Sequence, residues 1–269
     1  MDRNPREANV GGIPSVLNKV RGYIRIRQAQ KDLIQDQSHL SSIGEDKPWA
    51  LIFFLLRSGY AREAMEYVTQ NADAFRAMDR VFPTFLAAYV SSDDQKLGRR
   101  DQDRINNEYM RIKNNAQQGT IDPYRLACYK VIGRCELSVK RLENIGQGVE
   151  DWMWLQFSLA REVNRAEELA TEVFGLDEVR RNIRDIGQQY FARGSEGATQ
   201  GYGTFFYLQI LGGLFEHAVS YLYDYNVVAA VHFAIALDYY GLMRVSGYAV
   251  NENELRELHP AKSTHSSSY

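Results

Sequence analysis

The sequence predicts an all-α protein, an irregular solenoid of stacked helical hairpins. Three observations carry this. Apolar residues recur at helical spacing along nearly the whole chain, while alternating runs and Asn-Gly or Asp-Gly hairpin turns are missing. An apolar phrase is written twice, as "WALIFFLLRSGYAREAMEYV" at 49–68 and "FFYLQILGGLFEHAVSYLYD" at 205–224. No fixed period links these phrases, which separates the chain from regular tetratricopeptide or HEAT arrays.

Taken in order, Val16, Leu17, Val20 and Ile24 form one stripe after Pro14, a residue that suits a first helical turn. A longer loop is expected over 31–46. Trp49, Ile52, Phe53 and Leu56 make the next stripe, again behind a proline, Pro48. Phe53 to Leu56 cover more than one face, so this helix needs neighbours on several sides. Gly59 stands where it should stop, because glycine accepts the left-handed conformation. Ala64 supplies the small side chain that a close crossing needs. The second phrase repeats the design, with Phe205 to Leu208 apolar all round, Gly213 as the stop and Ala218 at the crossing. Each phrase therefore reads as a helical hairpin that buries its neighbours' faces.

Loops are expected at 91–97 and 114–121. Asp122 followed by Pro123 is an N-cap with proline at the first position, opening a third hairpin, "DPYRLACYKVIGRCELSVK", broken at Gly133. Trp152 and Trp154, two apart, cannot face one neighbour, so either their helix lies between two layers, the favoured reading because tryptophans are mostly buried, or one indole is exposed for a partner. A fourth hairpin, "WLQFSLAREVNRAEELA", has no glycine; Asn164 with Glu167, and Asn251 with Glu254, have capping-box spacing. The glycine-rich "RGSEGATQGYG" at 193–203 reads as a flexible connector, since it lacks Gly-Lys-Ser/Thr and a preceding strand. About a dozen helices result. The domain reading is a flexible segment over 1–12, a solenoid over 13–258 and a disordered tail over 259–269.

The chain of 269 residues is 45% hydrophobic and 25% charged, enough for one large unit or two small ones. Its 32 basic and 34 acidic side chains leave a net charge of −2, which argues against a direct nucleic-acid partner. The basic clusters Arg21, Arg25, Arg27 and Lys96, Arg99, Arg100, Arg104 read as solvated helix faces. Cys128 and Cys135 have neither CxxC spacing nor a histidine pair, so no zinc site is expected, and two lone thiols suit a reducing compartment. The longest apolar run, "VVAAVHFAIAL" at 227–237, falls well short of the roughly 20 residues that span a bilayer. The opening "MDRNPREANVGG" lacks a signal-peptide core. A soluble intracellular chain is expected.

Catalytic chemistry finds little support. His39, His217, His232, His259 and His265 are scattered without HExxH or ExxH spacing; His232, in an apolar run, reads as a packing residue. No GxSxG elbow is present. No metal, cofactor or catalytic residue is expected. A helical adaptor or sensor with a small-molecule pocket is the alternative, and a convergent polar cluster in a closed apolar pocket would favour it.

"GGIPSVLNKVRGYI", "KPWALIFFLLRSGYAREAM", "DPYRLACYKVIGRCEL", "DWMWLQ" and "YLQILGGLFEHAVSYL" occur in the order found in one family. From about Gly11 to about Val245 the chain resembles the nucleoporin-interacting-component family, inner-ring scaffold nucleoporins of the nuclear pore complex. The resemblance implies an α-solenoid that folds back on itself, as in vesicle-coat scaffolds. It implies a structural role at the nuclear envelope in support of nucleocytoplasmic transport, with no enzyme activity. The implied partners are linker nucleoporins, through short linear motifs, and large inner-ring scaffold nucleoporins. Channel nucleoporins would be met mainly through an N-terminal region that this chain lacks, as it lacks the second half of the helical domain. Gly59, Ala64, Gly133, Gly213 and Ala218 are expected at turns and crossings, with Trp49, Trp152 and Trp154 as structural aromatics.

Overall fold

A computed structural model describes residues 15–34, 36–116, 121–142, 144–146, 148–162, 173–191 and 196–243. Among the described residues there are twelve α-helices, one short 3₁₀ turn and no strand beyond an isolated Ile43–Asp46 bridge. They gather into two compact units, one running to Leu159 and one from Phe174 onward.

The first unit contains α1 (Val16–Ala29), α2 (Pro48–Arg57), α3 (Ala61–Gln70), α4 (Ala72–Met78), α5 (Phe82–Ser91), α6 (Arg99–Ala116), α7 (Pro123–Gly133) and α8 (Val149–Leu159). Ser15 caps α1, its hydroxyl accepting from the Asn18 N–H at 3.1 Å; Pro14 lies outside the described residues. α2 is the centre. Every residue from Pro48 to Leu55 is buried, because α1, α3 and α7 pack around it. Trp49, fully buried, meets Phe82 edge-on at 4.7 Å and Phe75 at 5.7 Å. Burying each such side chain contributes about 1.5–3 kcal/mol, so this helix anchors the unit.

α2 ends as its glycine predicts. Gly59 has φ 80°, the Tyr60 N–H reaches back to Leu55 O at 2.8 Å, and the Gly59 N–H to Leu56 O at 3.1 Å. This paired pattern is the Schellman stop. Ala64 and Tyr67 on α3 are buried behind the turn.

α7 is tied to the chain at both ends. Asp122 caps it, one oxygen accepting from Tyr124 N–H at 3.0 Å and the other from Ser41 N–H at 2.8 Å. Burial raises the Asp122 carboxyl above its ordinary range, against these hydrogen bonds. At the far end the expected role of Gly133 differs. The left-handed residue is Arg134, at φ 47°, not Gly133. Glycine is needed one position earlier because α6 passes close: a Cβ there would stand 2.7 Å from Cys135 Sγ and 2.8 Å from Ile105 Cγ2. Crowding rather than backbone conformation selects it.

The second unit contains α9 (Leu176–Tyr190), α10 (Glu196–Leu211), α11 (Phe215–Tyr223) and α12 (Val227–Tyr239). The connector expected at 193–203 is helical from Glu196 onward. Packing overrides the low helix propensity of its glycines: at Gly201 a Cβ would come 3.0 Å from the Phe191 ring. Gly187 on α9 is tighter still, since a Cβ there would fall 2.1 Å from Phe205 Cζ. The Gly212–Gly213 turn repeats the first phrase's geometry, with φ 68° at Gly213, Leu214 N–H to Gln209 O at 2.9 Å and Gly213 N–H to Ile210 O at 3.0 Å. Arg180 fixes this turn to α9, its Nε donating to Gly212 O at 3.0 Å. Ala218 is fully buried. The all-round burial expected for Phe205 to Leu208 is incomplete, because Tyr207 is 52% exposed.

Valine at Gly59 or Gly213 is expected to destabilise by about 1 kcal/mol or more, through the positive-φ penalty on a β-branched residue. At Gly59 the test is clean, since a Cβ there meets no atom within 4 Å. Thermal unfolding of both variants reads the loss; unchanged melting temperatures would remove this account of the twin turns.

Candidate docking surfaces

Among the described residues no three His, Cys, Asp or Glu side chains are grouped to hold a metal ion. The cysteines are packing residues. Cys128 donates to Trp49 O and Cys135 to Tyr129 O, each at 3.6 Å. Burial pushes the Cys128 thiol well up and that of Cys135 to about 12, which keeps both protonated and unreactive at neutral pH. His39 pairs with Asp36 at 3.3 Å, and burial lowers the pKa of His217, with Arg184 adding to the effect. His232 corrects the packing reading, for it is exposed on α12. No helix of the described residues is long and apolar enough to cross a membrane.

The basic clusters are largely consumed by local pairs. Arg21 meets Asp46 at 2.8 Å and Arg25 meets Glu45 at 3.0 Å, while Arg104 pairs with Asp101 at 3.1 Å. Arg27, paired with Asp32 at 2.9 Å, also lines with Arg57 a cleft of about 350 Å³ in the first unit. Its walls come from the chain after α1, the end of α2, and Asn144, Ile145, Gly146 and Gly148 ahead of α8. Lys31, Asp32 and Asp151 supply further charges, and Phe54 and Tyr124 lie in its floor. Arg57 bonds to Asp151 and lies 5.6 Å over the Trp154 ring. Burial lowers the Arg57 pKa, and the Arg27 charge works in the same direction. Trp154 also meets Phe53 edge-on at 5.5 Å. Trp152 and Trp154 are each half-buried, so neither indole is enclosed as a helix held between two full layers would require.

The second surface is the apolar side of α12. Val228 is 67% exposed, Ile235 62% and Tyr239 83%, with Ala230 and Leu237 its buried residues. The eleven residues from Val227 to Leu237 include no Asp, Glu, Lys or Arg. The cleft is not legible as a motif, since it joins residues from four separate stretches, whereas the α12 surface coincides with the apolar run at 227–237.

Helical hairpins stacked within each unit, with two apolar or mixed surfaces among the described residues, define a protein of the helical-hairpin solenoid class. Comparison with known proteins supplies the family: the Nup93/Nic96 profile matches residues 1–266, and the chain belongs to that family. It is 49% identical over 252 residues to a Chaetomium thermophilum protein called Nucleoporin NIC96, covering 93% of this chain and 23% of that protein. The Saccharomyces cerevisiae protein of that name is 32% identical, over 84% of this chain and 26% of its own length. The Xenopus tropicalis nuclear pore complex protein Nup93 is 27% identical, over 87% of this chain and 27% of its own length. A crystal structure of the Chaetomium thermophilum Nic96 SOL superposes with TM-score 0.84 at 47% identity, covering 91% of this chain and 34% of that one. The chain thus spans about a quarter of the length of these curated relatives. The small-molecule alternative finds no support among them.

Proposed function

We propose that this chain is a segment of a nuclear-pore scaffold nucleoporin, a solenoid portion that docks linear segments of other nucleoporins and so supports nucleocytoplasmic transport at the nuclear envelope. Its role is structural, without cofactor or catalysis. The observation that carries the reading is the family match over 1–266 together with relatives named as nuclear pore proteins. The surfaces agree with it in kind: a mixed cleft and an uncharged helix face suit peptide and helix docking, in which apolar anchors supply most of the affinity.

The linker nucleoporins are the first partners to test, by titrating labelled segments of them against this chain and against a longer chain covering the whole helical domain. With a net charge of −2, binding should survive moderate salt. Binding to neither chain, or binding confined to low salt, would overturn the docking role.

A further inference from the structure

We draw no further inference here: the strongest candidate, the exposed apolar face of α12 with Val228, Ile235 and Tyr239, carries nothing because no observation in the structure shows what covers it.

Discussion

Alanine at Asp79 is expected to cost about 3–5 kcal/mol and to lower the melting temperature by roughly 10 °C. The carboxylate is only 1% exposed and holds four donors. The Val81 and Phe82 N–H groups reach one oxygen at 3.2 and 3.1 Å, ahead of α5. Arg125 Nε and the Tyr129 hydroxyl reach the other at 3.0 and 2.9 Å. Arg125 in turn lies 5.7 Å over the Trp49 ring, so the pair sits against the centre of the unit. Alanine would leave a largely buried guanidinium and a buried hydroxyl without their acceptor, and such orphaned groups cost more than an average hydrogen bond returns. Asp79→Asn keeps one acceptor oxygen and should lose clearly less. Differential scanning calorimetry of both variants decides this; equal and small shifts would mean that the network does not bind α5 to α7.

The second large effect is association through α12. A helix face with Val228, Ile235 and Tyr239 exposed and no charged residue over eleven positions does not resemble a solvated surface. The family relatives are several times longer, and stacking a further hairpin on this face is how a solenoid would cover it. Without that cover the chain should self-associate, with a dissociation constant on the order of 10 μM. Light scattering over a concentration series reads the change. Val228→Lys with Ile235→Lys should restore a monomer without an earlier melt, as both side chains are outside the packed stripe. A monodisperse, unaltered chain at high concentration would contradict the reading.

Much of the helical order is legible because its signals are local. Pro48 and Pro123 open helices, Asp122 caps one, and Gly59 and Gly213 close two, each through the backbone property of that residue type. Where the reading departs from the structure, tertiary contact decides. The glycines from Gly197 to Gly203 are helical, with Phe191 packed on Gly201, and Gly133 is selected by Ile105, a residue far away in sequence. Lys31, which stops α1 at φ 56°, could not be recognised as a helix stop, since lysine is not a residue that prefers the left-handed region. The hairpin expected from 154 to 170 lies partly outside the described residues, as do both Asn–Glu capping boxes.

The scaffold role itself is tested most directly inside a pore. In a fluorescently tagged Saccharomyces cerevisiae Nucleoporin NIC96, the matching segment is replaced by this chain, and the hybrid is imaged beside the unaltered protein at equal abundance. A segment that serves as nucleoporin scaffold should give a nuclear-rim signal close to that of the unaltered protein and support growth. A hybrid that accumulates normally yet spreads through the cell, with no rim signal, would contradict the account.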